Sequence, residues 1–423
     1  MKLPIVKYMT QKRIFLCLAH MSGQEMKFIQ EAFDTNWVVP LGPNVNGFEK
    51  DLESFMGQQK RIVALSSGTA AVHLALIACG VKAGDEVIVQ TFTFCASSHP
   101  ITYLGAKPVF VDSESDTWNM SPELLEEAIK DRIAKTGRKP KAIVPVYLYG
   151  MPAKIDEILS VAERYDIPVV EDAAEGFGSR YDRQMVGTFG RYGVLSFNGN
   201  KMITTSGGGA LVCPDGESYN RVMYFATQAR ESYPYYQHTE IGYNYRMSNI
   251  CAGIGRGQMT VIDEHIRHHQ HIAQLYREAF KEVEGIDFHD NPDERTDSNF
   301  WLNTITIAPD LKVKGQENAY KTIVKGAVGG AAGVVHQAST AHTDCEPNAN
   351  VEAMRLYLDR AGIESRPLWK PMHRQPVYQD APAYLNGVSE ELFHCGLCLP
   401  SGPMVTDEDV ARIIHTIKDS VCC

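Results

Sequence analysis

The chain has 423 residues, beyond the size at which a single hydrophobic core usually stops growing, so two domains are expected. Its 44% hydrophobic and 22% charged residues are those of an ordinary water-soluble globular protein. A formal charge of −10, unbroken by any run of five or more Lys or Arg, repels a polyanion over most of the surface and argues against nucleic acid as a partner.

In MKLPIVKYMTQKRIFLCLAH the charges interleave with apolar residues, and IFLCLA is too short for a signal-peptide core or a membrane span. A cytoplasmic location is expected. The ten cysteines are scattered, which suits a reducing compartment better than a disulfide framework. The lone CxxC of Cys395 and Cys398 lacks both the further ligands that zinc needs and the βαβ setting of a thioredoxin-like site. Ser22-Gly-Gln-Glu25 reads as a capping box that opens a helix with Met26, Ile29 and Phe33 on one apolar face.

From residue 61 to about 212, short apolar runs alternate with helical patterns. In order they are RIVALSS, a helix from Gly68 to Ala78, DEVIVQ, a helix from Ser97 to Leu104, KPVFVD, a helix from Pro122 to Lys130, KAIVPVYLY, a helix from Ala153 to Tyr165, and IPVVEDAA. Strands without polar alternation, separated by helices, predict a mostly parallel sheet covered on both faces.

After about residue 261 the character changes to a long helix, an Asp/Asn/Pro-rich stretch and the strand WLNTITI. His265, His268, His269 and His271 lie on that helix with no HExxH and no acidic cluster at ligand spacing, so a solvated face is expected and no metal. KGAVGGAAGVVHQAS has the glycine of a phosphate loop but not its GK[ST] ending, and reads as a flexible loop. Two amphipathic helices, VEAMRLYLDRAGIESRPLW and VTDEDVARIIHTIKDSV, close the chain. The expected division is a large domain over 1–261 and a smaller α+β domain over 262–423.

In such a sheet ligands sit at the carboxyl ends of strands, and four pieces of sequence fall there. Ser66-Ser67-Gly68-Thr69 follows RIVAL and opens a helix, offering backbone N–H groups and a positive helix end to a phosphate. Phe92 and Phe94 follow DEVIV, where an aromatic ring can stack on a planar ligand or pack in the core. Glu171-Asp172 ends the run IPVV, and a carboxylate buried there needs a partner. Lys201 comes 29 residues after Asp172, in SFNGNKMITTSGGGALV, between two further apolar runs. A phosphate cradle, an aromatic plate, a buried carboxylate and a lysine together match the needs of pyridoxal 5′-phosphate: a lysine that bonds it, a carboxylate that keeps its ring nitrogen protonated and an anchor for its phosphate.

The motifs SSGTAAVHLAL, GDEVIVQTFTF, YLGAKPVFVD, VEDAAEGFGSRY, GTFGRYGVLSFNGNKMITTSGGGALV, GYNYRMSNICAGIG and GLCLPSG resemble those of the DegT/DnrJ/EryC1/StrS family of sugar-nucleotide aminotransferases. SFNGNKMITTSGGG, TQARE, RPLWKPMH and AYLNG are most similar to the 4-aminotransferases of the UDP-N-acetylbacillosamine pathway. The resemblance implies the α/β fold type I of aspartate aminotransferase. It gives Lys201 the covalent attachment and the proton shuttle, and Asp172 the ring nitrogen. Gly68, Thr69 and Ser196 fall to the phosphate, Phe94 to the ring face, and Asn244 to the phosphate of a partner subunit's cofactor, which implies a homodimer with shared sites. Glu175 stands beside the cofactor where many relatives have Gln or His. Arg246, Trp301, Arg366, Lys370 and His373 are the residues implied for substrate. The implied reaction moves the amino group of L-glutamate to C4 of a UDP-linked 4-keto-6-deoxy-N-acetylhexosamine.

Three alternatives stay open. A sugar dehydratase of the same family carries histidine where this chain has Lys201. A nicotinamide-dependent oxidoreductase calls for a GxGxxG after the first strand with an acidic residue some 20 positions on, which is missing here. A non-catalytic cofactor-binding regulator conflicts with an intact Lys201 and Asp172.

Overall fold

The structure, a computed structural model, describes residues 12–57, 59–322 and 345–421. The glycine-rich stretch 325–339 and the terminal Cys422-Cys423 lie outside the described residues.

Strands β1 (Arg61–Leu65), β2 (Glu86–Gln90), β3 (Lys107–Val111), β4 (Ala142–Val144) and β5 (Val170–Asp172) arise from the apolar runs expected to form them. A short hairpin of β6 (Arg180–Tyr181) and β7 (Gln184–Met185) follows, then β8 (Tyr192–Ser196) and β9 (Gly209–Cys213). Parallel bridges Ile143–Val169 and Val146–Asp172 join β4 to β5, so the large sheet runs β1-β9-β8-β5-β4-β2-β3. Only β9 runs against the others. From Val170 to Ser196 every strand residue of β5 and β8 is buried, because helices cover both faces and no side of the strand meets water.

The helix Gly68–Ala78 matches its expected bounds, and Ala70 N–H donates to its N-cap Ser67 Oγ at 3.0 Å. The helix from Pro122 runs on to Thr136, stopping at Gly137 in the left-handed conformation at φ 69°. The N-terminal helix spans Glu25–Asp34, with Gln24 and not Ser22 at its N-cap. Glu25 reaches back to accept from Ser22 N–H and Gly23 N–H, and Ser22 Oγ accepts Gln24 N–H at 3.1 Å in place of the N–H of Glu25. On its apolar face Ile29 is half-buried, while Met26 and Phe33 are 66% and 59% exposed.

The second half forms an antiparallel sheet β10-β12-β15-β13 from β10 (Ile286–Phe288), β12 (Asn303–Ile307), β13 (Arg366–Pro367) and β15 (Gly396–Leu399). Between these in sequence, β11 (Thr296–Asp297) pairs with β6, and β14 (Ala383–Tyr384) adds in parallel to the edge strand β3. Ile272, Tyr276, Ile305, Leu397 and Ile413 form a separate core. A domain boundary near residue 261 is our proposal, and two segments cross it: Ile14 packs in the C-terminal core, and β14 belongs to the large sheet.

The histidine-bearing helix Ile262–Phe280 is not the solvated face expected of it. His265 and His269 are buried and face the backbone carbonyls of Met202 and Phe300, at 3.2 and 3.1 Å. Their i, i+4 spacing puts them on one face, and that face packs on the β8–β9 connection and on the segment before β12.

Candidate active site

Lys201 lies in the connection between β8 and β9. Two hydrogen bonds close this hairpin, Phe197 N–H to Gly208 C=O and Thr205 N–H to Phe197 C=O, each 2.9 Å. The following glycines allow close approach. A Cβ on Gly209 would lie 2.4 Å from the Gly68 nitrogen, and one on Gly208 would lie 2.1 Å from Thr205 Oγ1. The start of the helix Gly68–Ala78 is thereby pressed against the base of the lysine hairpin.

That helix is apolar and buried along most of its length, so its N-terminus points inward at the carboxyl end of β1. Ser67 satisfies Ala70 N–H, while the amides of Gly68 and Thr69 belong to the helix turn that has no intrahelical acceptor. Ser196 ends β8 beside them: a Cβ on Gly68 would come within 3.0 Å of the Ser196 side chain. These three residues form one cradle at a positive helix end.

Strand alternation separates the two carboxylates that close β5. Glu171 turns away from the site and accepts from Tyr147 Oη, Gly187 N–H and Gly190 N–H, which fixes the turn before β8. Asp172 turns toward the site, 4% exposed, and accepts from Ser97 Oγ at 2.6 Å and Ala174 N–H at 3.1 Å. Burial pushes its carboxyl above the usual value of 3.8, opposed by those two donors and by Lys201, and reinforced by Glu175. A buried anion in this state gains from a cationic N–H partner. Ser97 was not singled out in the sequence, although a serine three residues past Phe94 is a signal that could have found it.

Lys201 Nζ lies 3.2 Å from Glu175 Oε1 and 3.8 Å from the centroid of the Trp301 ring. The other Glu175 oxygen accepts Tyr149 N–H at 2.8 Å. Trp301 is buried and donates from Nε1 to Asn200 C=O at 2.7 Å. It therefore underlies the lysine, whereas the resemblance had implied it for substrate.

Phe92 and Phe94 part company at the end of β2. Phe92 is wholly buried in the core, while Phe94 is 56% exposed, its ring centroid 6.2 Å from that of Trp369. Trp369 in turn lies 5.6 Å from Tyr149 and donates its backbone N–H to Tyr149 Oη. A cavity of about 420 Å³ opens beside Phe94, lined also by His99, Trp369, Lys370 and Met372.

The structure assigns other duties to several residues implied for substrate. Arg246 forms a buried ion pair with Glu49, Nη1 to Oε1 at 2.5 Å, and also donates to Ala64 C=O. His373 has both ring nitrogens engaged, Nδ1 with Thr91 Oγ1 at 2.7 Å and Nε2 with Glu390 at 3.0 Å. Arg366 pairs with Glu364 at 2.9 Å, and Asn244 is exposed on the surface of this chain. Among the described residues, Cys345, Glu390 and His394 come close enough to hold a cation. Both Glu390 oxygens, however, already face the His373 and Arg374 side chains. The CxxC thiols stay protonated, since burial pushes Cys395 up to about 11 and Cys398 higher still.

The profile of the DegT/DnrJ/EryC1/StrS aminotransferase family matches residues 20–332 and 316–418. The Bacillus subtilis (strain 168) protein EpsN, whose name places it with the pyridoxal phosphate-dependent aminotransferases, is 43% identical over 96% of this chain and 95% of its own. The GDP-perosamine synthase of Escherichia coli O157:H7 is 33% identical over 94% of this chain and 96% of its own. A crystal structure of a DegT DnrJ EryC1 StrS aminotransferase from Brucella abortus superimposes with a TM-score of 0.80 and 27% identity, covering 94% of this chain and 95% of that one. With the lysine, the strand-end aspartate and the helix cradle brought to one face of the sheet, and with the match running almost end to end, the chain belongs to the DegT/DnrJ/EryC1/StrS aminotransferase family.

Proposed function

We propose that this aminotransferase moves the amino group of L-glutamate to C4 of a UDP-linked 4-keto-6-deoxy-N-acetylhexosamine, and that it works as a homodimer. The observation that carries the reading is Lys201 held beside Glu175 and Trp301, on the same face as Asp172 and the Gly68 helix start. The donor leaves as 2-oxoglutarate and the sugar's keto oxygen leaves as water.

The cofactor is pyridoxal 5′-phosphate, and the residues fit it. Asp172 is a buried acid short of a cationic partner, and Gly68 leaves beside Ser196 a space that a side chain would fill. In our reading Gly68, Thr69 and Ser196 hold the phosphate, Asp172 the ring nitrogen, Phe94 a ring face, and Lys201 the covalent bond. When bound, the cofactor supplies an electrophilic carbon and a ring that withdraws electrons from the bond being deprotonated. Lys201 Nζ takes and returns a proton, and Glu175 Oε1 at 3.2 Å orients the ammonium between those moments. Phe94, Trp369 and Tyr149 wall the site and limit water. Lys370, which lines the cavity beside Phe94, and Arg366, on release from Glu364, are the diphosphate contacts, and Asn244, exposed on one subunit, serves the phosphate site of the other.

A second reading has support of its own: the 33% identical GDP-perosamine synthase favours a GDP-linked sugar. The test is a panel of UDP-, GDP- and dTDP-linked keto-sugars assayed with L-glutamate, the products identified by NMR, with Lys201→Ala as control. We expect a C4 amine on the UDP sugar and a loss on the order of 10⁴ or more for the variant. Preference for the GDP sugar would select the second reading. An unsaturated sugar formed without 2-oxoglutarate would replace both by a dehydratase.

A further inference from the structure

Lys201 sits in the turn 198–206, where no strand or helix ladder fixes the backbone. Side chains from other elements hold alternate residues there. Trp301 Nε1 donates to Asn200 C=O at 2.7 Å. His265 Nδ1 faces Met202 C=O at 3.2 Å, and Gln258 Oε1 accepts Thr204 N–H at 3.3 Å. All three side chains are buried, and they come from positions 54 to 101 residues away in sequence.

The polar groups behind this bracket are also matched. A carbonyl can only accept, so His265 carries its proton on Nδ1, and its Nε2 accepts from His20 Nδ1 at 3.2 Å. Burial pushes His265 below its ordinary value, which keeps the ring neutral and this tautomer in place. Gln258 spends its amide on His20 C=O at 2.8 Å and Glu25 Oε1 at 2.7 Å. The N-terminal segment thus locks the two side chains that grip the turn at Met202 and Thr204.

We propose that His265 and Gln258, backed by His20, are positioning residues for Lys201. They hold Met202 and Thr204 so that the amine stands over Trp301, and they do so without touching cofactor or substrate. An error of about 1 Å in a reacting group can cost on the order of a hundredfold, so a turn without a ladder needs such a grip. This inference rests on the reading of Lys201 as the group that bonds the cofactor.

The test compares pairs of variants of the full chain. His265→Leu removes the donor to Met202, whereas His265→Asn keeps an N–H close to the Nδ1 position. Gln258→Leu removes the acceptor for Thr204 and the donor to Glu25, whereas Gln258→Asn keeps both groups on one amide. Pyridoxal phosphate is added to cofactor-free protein, samples are reduced with borohydride at intervals, and the Lys201 peptide is quantified by mass spectrometry. Circular dichroism confirms folding of each variant. The Leu variants should label about tenfold more slowly than wild type and the conservative variants within about threefold. Leu variants that fold and label within twofold of wild type would overturn the proposal. So would His265→Asn labelling as slowly as His265→Leu. Labelling requires neither amino donor nor sugar, so a wrong substrate in the proposed function leaves this result standing, while labelling of another lysine would overturn both.

Discussion

Lys201 and Glu175 form an ion pair in the interior, Nζ to Oε1 at 3.2 Å, with the lysine side chain largely and the glutamate almost wholly out of solvent. The pairing gives Glu175 a place: its oxygens are taken by the amine of Lys201 and the backbone N–H of Tyr149, a residue held in the left-handed conformation at φ 57°. The carboxylate therefore joins the lysine hairpin to the turn after β4.

Replacing Glu175 with Leu should lower the stability of cofactor-free protein by about 1–3 kcal/mol, because Tyr149 N–H and Lys201 are left without their acceptor. Glu175→Gln keeps an acceptor oxygen and should lose less. Urea unfolding of both variants checks this, and equal losses would mean that charge alone matters.

Asp172 predicts a pH dependence. Its folded-state carboxyl is raised above 3.8, chiefly by burial, so the folded chain binds more protons there than the unfolded one. Its contribution is most favourable below 3.8 and declines as pH rises through the raised folded value. Asp172→Asn should remove that part of the slope in the unfolding free energy of cofactor-free protein. It should also slow turnover, since an amide does not keep the ring nitrogen protonated. An unchanged slope and an unchanged rate would reduce Asp172 to a strand-end residue.

Arg246→Ala should act on stability and not on substrate. It strands Glu49, which also accepts Ala64 N–H, and breaking a buried pair from one side costs about 3–5 kcal/mol. Replacing both partners with apolar residues, as in Arg246→Met with Glu49→Leu, should recover much of the loss. A raised KM for sugar nucleotide with an unchanged melting temperature would restore Arg246 to the substrate site.

The helix Glu25–Asp34 leaves Phe33 exposed, followed by the exposed Trp37, Val38 and Leu41. A second copy of the chain is our proposed cover, and sedimentation should find a dimer. Phe33→Glu should shift the chain toward monomer and lower activity with it. A wild-type chain that sediments as a fully active monomer would remove the partner role of Asn244.

Much of the site was legible in the linear chain. Strands β1 to β5 announced themselves because a strand covered on both faces must be apolar along its whole length, and that is a local property. Lys201, Asp172 and the Gly68 turn could be placed because each sits where a local pattern ends, at a strand terminus or a helix start. Even the glycines after Lys201 signalled a close approach, though not to what. Other features depended on partners far along the chain. Glu171 and Asp172 are neighbours of one type, yet only the direction of the strand face, set by the order β8-β5-β4, sends one to the turn at Gly187 and the other to Ser97. Arg246 read as a binding cation until Glu49, 197 residues earlier, was found against it. Trp301 was implied only for substrate, His265 was read as a solvated residue and Gln258 carried no motif, because a side chain that grips a distant carbonyl or amide leaves no periodic trace. Hydrophobic patterning decides which segments are buried, whereas the pairing of buried polar groups is decided only when packing brings them within hydrogen-bonding distance of one another.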